Sequence, residues 1–240
     1  MEGPVLAANL AVSVVPAARP AALPRRRAAL ALPRVLLCDL DGTLIDTMPI
    51  LADLATDVLS ETFGMPRSLA RELYVATCGL PFCQQLESIC PGDPRNAAVS
   101  NRFEDAKPAL CRSARMPAET RRALITLQGR GVRIVVSSNN GRDNVEAFAH
   151  DSGFAFDLVL GYGEGLAKGA PHIQRAGSTF RTAREQMAFV GDSLHDGEIA
   201  AGERIAFVGV AGTFSKERFA LRFPGLPVVQ RFADIVDLFD

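Results

Sequence analysis

Asp39 and Asp41 stand one residue apart, directly after the apolar run Val35-Leu36-Leu37-Cys38 and directly before Gly42 and Thr43. Acids this close repel each other, and a divalent cation is the usual remedy. The chemistry open to such a pair is metal-assisted, with one carboxylate left to attack an electrophile or to move a proton. An apolar run bounded by turn residues suits a buried strand, and ligands of open parallel sheets bind where strands end. Gly42 lets the backbone pass close to an anion, and successive amides in such a turn form an anion-binding nest. Thr43 supports the loop by hydrogen bonding.

Three further segments place chemistry at strand or loop ends. Arg133-Ile134-Val135-Val136 leads into Ser137, Ser138 and Asn139; Lys168 sits in Gly165-Leu166-Ala167-Lys168-Gly169-Ala170-Pro171; and Met187-Ala188-Phe189-Val190 leads into Gly191-Asp192-Ser193-Leu194-His195-Asp196. In this order the four segments resemble motifs I to IV of the haloacid dehalogenase-like hydrolase superfamily, in its phosphatase branch. The resemblance spans residues 35 to 196.

That resemblance implies a role for each residue. Asp39 is the nucleophile that forms an aspartyl-phosphate, and Asp41 is general acid and then base, with its backbone carbonyl on the metal. Dehalogenases of the superfamily lack the second Asp and P-type ATPases have Thr there, so Asp41 points to phosphoester hydrolysis or phosphoryl transfer. Lys168 neutralises charge between Asp39 and the phosphate. Asp192 is the second carboxylate ligand of Mg²⁺, which prefers about six oxygen ligands. Asp196 binds a metal water or orients Lys168. Ser137 donates its hydroxyl to a phosphoryl oxygen, helped by the amides of Ser138 and Asn139; a one-residue slip to Ser138 stays open. Gly42 and Thr43 complete the phosphate loop. Ser193 suits a helix N-cap. Asp46, Arg142 and His172 read as surface, and His195 as a neutral loop or helix residue, since hard Mg²⁺ favours oxygen.

These residues need elements to hold them. After the first strand the apolar residues Ile50, Leu51, Leu54, Val58 and Leu59 recur at helical spacing. Further helices are expected over about 67–77, 84–89 and 96–110, with breaks at Cys78-Gly79-Leu80-Pro81-Phe82, at Pro91-Gly92-Asp93-Pro94 and at Pro108. From Pro117 strand and helix alternate. Helices are expected over 117–128, 142–152, 171–186, from Ser193 and over 231–239, and strands over 133–137, 156–160, 187–191, 205–210 and 227–229. This alternation implies an α/β fold with a parallel sheet and helices on both faces. The resemblance implies the same Rossmann-like core, residues 34–48 and 117–240, with a helical C1 cap over 49–116. In the related sugar-phosphate mutase an Arg follows the cap glycine by three residues; Phe82 stands there in this chain, which weakens that reading. Leu80 and Phe82 read as packing residues. Lys107, the one lysine in the insert, lies far from where a phosphonatase places its Schiff-base lysine.

Composition sets the outer limits. The chain has 240 residues, 48% of them hydrophobic, and a formal net charge of -1, which gives no sign of a nucleic-acid surface. No apolar stretch is long enough to span a bilayer. Five irregularly spaced cysteines, with no CxxC pair, favour free thiols in a reducing compartment, here the cytoplasm. Residues 1–33 are rich in Ala, Pro and Arg and read as a disordered tail, with a targeting signal or an upstream start codon as alternatives. The expected function is a Mg²⁺-dependent phosphatase acting on a small phosphorylated metabolite, as a monomer or homodimer, with no nucleic acid or membrane partner. A phosphomutase, or a catalytically weak phosphate-binding regulatory protein on the same scaffold, are the rivals.

Overall fold

The computed structural model describes residues 30–163 and 165–239. Six parallel strands form one sheet: β1 (Val35–Cys38), β2 (Arg133–Gly141), β3 (Leu158–Tyr162), β4 (Met187–Gly191), β5 (Ala206–Val210) and β6 (Val228–Val229). Their order is β3-β2-β1-β4-β5-β6, so the α/β fold expected from the sequence is the one observed. The winding reverses between β1 and β4, and such a reversal opens a crevice beyond the strand tips. β1 is central, flanked by β2 and β4, and all four of its residues are 0% exposed. A strand covered on both faces must be apolar without alternation. Each of its aliphatic side chains gains about 1.5–3 kcal/mol from burial, and that anchors the loop after Cys38.

Register then fixes what meets at the tip. Cys38 lies opposite Val136 on one side and Val190 on the other. The residues that follow these three, Asp39, Ser137 and Gly191-Asp192, therefore emerge side by side at the carboxyl edge. One face of the sheet packs around Leu36, Cys38, Ile134 and Leu124, the other around Leu37, Val135, Phe189 and Ile173. The covering helices are α5 (Ala118–Gly129), α6 (Arg142–Asp151), α7 (Ala170–Phe180), α8 (Leu194–Glu203) and α9 (Lys216–Arg222).

Four helices stand between β1 and α5: α1 (Met48–Phe63), α2 (Arg67–Ala76), α3 (Phe82–Ile89) and α4 (Asn96–Cys111). They share an apolar cluster of their own, in which Leu51, Leu59, Tyr74, Leu86 and Phe103 are buried. Phe82 belongs to it, stacked on Phe103 with ring centroids 4.0 Å apart. Gly64 in the left-handed conformation closes α1, and Pro66 and Pro81 precede α2 and α3.

Several boundaries differ from expectation. α4 runs through Pro108: the ring removes one backbone donor, but only in the final turn. β2 extends to Gly141, with its register to β3 shifting between Ser137 and Gly141, because the polar tail still finds a neighbouring strand. β3 starts two residues late, at Leu158. α7 stops at Phe180, where Arg181 turns left-handed, and a short 3-10 turn covers Arg184–Gln186. The last element, Phe232–Leu238, is a 3-10 helix. α9 was not expected; Ser215 caps it. Of the Ala/Pro/Arg-rich tail, residues 1–29 lie outside the described residues. Its end does not behave as a tail: the amide of Leu30 donates to the carbonyl of Leu238 at 2.8 Å, and Leu30 and Leu32 pack on the core. Among the described residues no helix is long and apolar enough to cross a membrane.

Candidate active site

Asp39 is the first residue past β1. Its amide donates to the carbonyl of Val190 at 2.9 Å, and it is 5% exposed. Lys168 reaches it from the loop before α7: Nζ lies 3.1 Å from Asp39 Oδ1 and 2.7 Å from Asp196 Oδ1. That loop is held from below, since the Lys168 amide donates to Asn139 Oδ1 at 2.9 Å. The same Asn139 side chain donates through Nδ2 to the carbonyl of Gly79 in the helical insert, at 2.7 Å. The Asn139 side chain thus joins the Lys168 loop to the insert.

The Asp192 and Asp196 pair follows from the start of α8. Ser193 is the N-cap, and a reciprocal capping box ties the Asp196 amide to Ser193 Oγ and the Ser193 amide to Asp196 Oδ2. This folds Asp196 back towards the strand tip. Gly191 is required there, because a Cβ would stand 2.4 Å from Asp196 Oδ2. Asp192 Oδ1 accepts from Thr43 Oγ1 at 3.2 Å, and its Oδ2 accepts from Thr213. Gly42, at φ +82°, passes so close that a Cβ would meet Asp192 Oδ2 at 2.1 Å. The amides of Gly42 and Thr43 are engaged inside the loop, by the carbonyls of Ile45 and Leu40. These two donors therefore differ from the anion nest expected of them. Asp41 accepts from Thr47 Oγ1 at 2.6 Å and from Asn140 Nδ2 at 3.2 Å, so both of its oxygens are aimed.

Oxygens of Asp39, Asp192 and Asp196 all lie within 4.8 Å of one another, and all three residues are buried. Among the described residues one ammonium, that of Lys168, faces them. Burial pushes the Asp39 carboxyl well above the carboxylate range; Lys168 opposes this, and Asp196, Asp192 and Asp41 reinforce it. Burial, then Asp196, lifts Asp192 from the ordinary 3.8 to about 7. Burial works against the Lys168 charge too, but Asp196 and Asp39 more than offset it and hold the ammonium above its usual range. The site therefore carries more negative charge than its own lysine balances. A set of oxygen donors with surplus negative charge suits a hard divalent cation. Among the described residues, the carboxylates of Asp39, Asp192 and Asp196 lie close enough together to hold one. Asp196 pairs through Oδ1 with Lys168 and accepts through Oδ2 from Ser193.

A cavity of about 60 Å³ opens onto this cluster, lined by Asp39, Asp41, Lys168 and Asp192 from below and by Phe82 and Lys107 of the insert from above. Ser138, Asn139 and Asn140 line it as well. Ser137 is 1% exposed, and its hydroxyl lies 3.0 Å from His172 Nδ1. His172 is 0% exposed, so the surface role expected of it is wrong: it faces the sheet on the same side of α7 as Ile173 and Ala176. Burial lowers its pKa to about 4, which keeps the ring neutral beside Ser137. Asp46 and Arg142 are exposed, as expected. His195 lies in the first turn of α8, with Nδ1 3.8 Å from Glu198.

The family model of haloacid dehalogenase-like hydrolases matches residues 36–210. The chain belongs to that family. No curated protein matches it. Among solved structures it is similar to a haloacid dehalogenase-like family hydrolase from Streptococcus pneumoniae, with 18% identity and a TM-score of 0.72 over 87% of this chain and 99% of that one. It is also similar to a predicted phosphoglycolate phosphatase from Haemophilus somnus, with 20% identity and a TM-score of 0.69 over 87% and 99%. A third neighbour is CbbY from Rhodobacter sphaeroides in complex with phosphate, with 19% identity and a TM-score of 0.65 over 85% and 96%. At these identities the likeness is one of fold.

Thr47 and Thr213 were missed by the sequence reading. Thr47 precedes α1 without capping it, because its hydroxyl is spent on Asp41. Thr213 follows β5, the strand beside β4, so the sheet order, once known, brings it to Asp192.

Proposed function

We propose that the chain is a Mg²⁺-dependent phosphatase that hydrolyses a small phosphomonoester through an aspartyl-phosphate on Asp39. The observation that carries this reading is the buried Asp39–Lys168–Asp196 chain of charge beside Asp192, with a separately aimed Asp41 at its mouth. Bound by Asp39, Asp192 and the Asp41 carbonyl, Mg²⁺ supplies positive charge to phosphoryl oxygens. Lys168 holds Asp39 Oδ1, so Oδ2 is the oxygen left to attack. A bond forms from it to phosphorus as the bond from phosphorus to the leaving oxygen breaks, and protonated Asp41 gives its proton to that oxygen. Asp41, now a carboxylate, takes a proton from water; the water oxygen bonds to phosphorus, inorganic phosphate departs, and Asp39 is regenerated. Thr47 and Asn140 fix the carboxyl that must serve twice.

Residues 49–116 act as the cap over this site, and residues 34–48 and 117–240 as the core. Support comes from Gly79, Phe82 and Lys107, which roof the cavity. The cap presents an apolar Phe82 where a mutase needs a cation, so a hydrolase is favoured over a phosphomutase. Two structural neighbours, a predicted phosphoglycolate phosphatase and CbbY in complex with phosphate, support a site for phosphate esters. All five cysteines are free thiols, in keeping with a cytoplasmic enzyme.

Treatment with EDTA should abolish turnover of an aryl phosphate, and added Mg²⁺ should restore it; turnover that survives exhaustive chelation would end the metal-dependent reading. A second outcome follows from Asp192. Between about pH 4 and pH 7 the folded chain keeps a proton that the unfolded chain has released. This group therefore stabilises the metal-free fold as pH falls, and the contribution is lost as pH rises to about 7 and beyond. A cation that needs the carboxylate ionised should then raise Tm more at pH 8 than at pH 5.5. Thermal melts with and without Mg²⁺ at the two pH values check this; an equal rise at both would count against Asp192 as a ligand.

A further inference from the structure

The wall of the site contains a cation that the phosphoryl chemistry does not use. Lys107 lies on α4 with its side chain 8% exposed. A buried ammonium ordinarily sits against a carboxylate or several acceptors, because an unpaired charge out of water is costly. Among the described residues its one carboxylate in ion-pair range is Glu104, a turn earlier on the same helix, at 3.9 Å. That is too long for a hydrogen bond. The Phe103 ring is 5.7 Å away. Lys107 is thus an ammonium with donors to spare.

Its position gives those donors a direction. Lys107, Asp41 and Asn140 line the small cavity and also a second one, of about 280 Å³. The second cavity lies between the end of α4, the chain that follows it, and α6. Its wall is apolar at Ile45, Met116 and Phe148 and basic at Arg112 and Arg115. Its acids are Asp41 and, at the far side, Asp151, which His150 engages at 2.8 Å. Glu104 lines the small cavity only. The alcohol leaves phosphorus on the side of Asp41, since Asp41 supplies its proton, and Asp41 borders both cavities.

We propose that the larger cavity holds the alcohol portion of the substrate, and that Lys107 selects for a second negative charge on that portion, a carboxylate or another phosphate. This rests on the phosphatase reading for where the phosphoryl group sits. At about 30 Å³ for each water-sized group, the space exceeds what a two-carbon acid fills. The substrate class is therefore a phosphomonoester of an acidic alcohol with a skeleton of several carbons. Lys107 is a specificity-determining residue for it, with Arg112 and Arg115 adding to the attraction.

The test compares substrates on one skeleton with the full chain and Mg²⁺: 3-phosphoglycerate, propane-1,3-diol bisphosphate, and glycerol 3-phosphate, whose alcohol is uncharged. The wild type should favour the two charged substrates in kcat/KM. Lys107→Met should reduce that preference by about 10- to 100-fold, the size expected for a lost charge-assisted hydrogen bond, mainly through KM. Lys107→Arg should recover part of it. Whichever charged substrate suffers more identifies the group recognised. No wild-type preference, or a preference unchanged in Lys107→Met, would overturn the inference. Calorimetry with non-hydrolysable phosphonate analogues of the acid and the neutral alcohol separates it from the phosphatase reading. If no substrate turns over, yet the wild type binds the acidic phosphonate better and Lys107→Met does not, Lys107 keeps its role and the hydrolytic reading falls. If binding shows no such preference, the inference falls too.

Discussion

Asp39→Asn should lower kcat for an aryl phosphate by at least about 10³-fold, in line with the loss of other enzymic nucleophiles. Asparagine has the shape of aspartate and keeps an oxygen for Lys168, but its amide cannot form the ester to phosphorus. The fold should not suffer. Asp39 is 5% exposed, and burial and its acidic neighbours oppose its ionisation. Removing that charge removes a cost, so Tm should be unchanged or higher, and more so at pH 8 than at pH 5.5. An inactive variant with an intact or raised Tm is the expected pair of results. Activity within tenfold of wild type in a preparation free of deamidated protein would remove Asp39 from the nucleophile's role.

Lys168→Met should combine a large loss of activity with a loss of stability. Among the described residues the ammonium is the one cation between Asp39 and Asp196, at 3.1 and 2.7 Å, and its side chain is 2% exposed. Removing a single donor to developing charge costs about 10²–10³-fold in kcat. Removing one partner of a buried ion pair costs about 3–5 kcal/mol, because the remaining charges are left uncompensated. Here those charges can be neutralised by protons, since Asp39 and Asp192 already hold theirs more tightly than usual. The deficit in Tm should therefore be larger at pH 8 and shrink towards pH 5.5, and Mg²⁺ should recover part of it at pH 8. Thermal melts at both pH values, with and without Mg²⁺, measure it. A deficit independent of pH would mean that Lys168 packs the loop without balancing the acids.

The sheet was legible because its central strands obey one local rule. Val35–Cys38 and Met187–Gly191 are buried on both faces, so their sequences are apolar without a break, and their ends were read to the residue. Polar extensions obey no such rule. Ser138 to Gly141 looked like loop, yet it continues β2 because β3 is there to pair with. The carboxylates could be seen for a related reason: no apolar core needs Asp39, Asp192 or Asp196 where they stand. The hydroxyls and amides that aim them are another matter. Thr47, Asn140 and Thr213 are common turn residues, and only the three-dimensional neighbourhood distinguishes them. His172 shows the same limit, since a polar residue on a half-buried helix gives no sign of which face it takes.

Asn139 has an implication for how the molecule assembles for work. One end of its side-chain amide holds the backbone of Lys168, and the other holds the carbonyl of Gly79. Lifting residue 79 away would cut one of the two ties that steady this amide, and the lysine's loop would lose a brace with it. Admission of substrate and arming of the nucleophile would then be governed by a single latch, so that a gaping molecule is also a safe one.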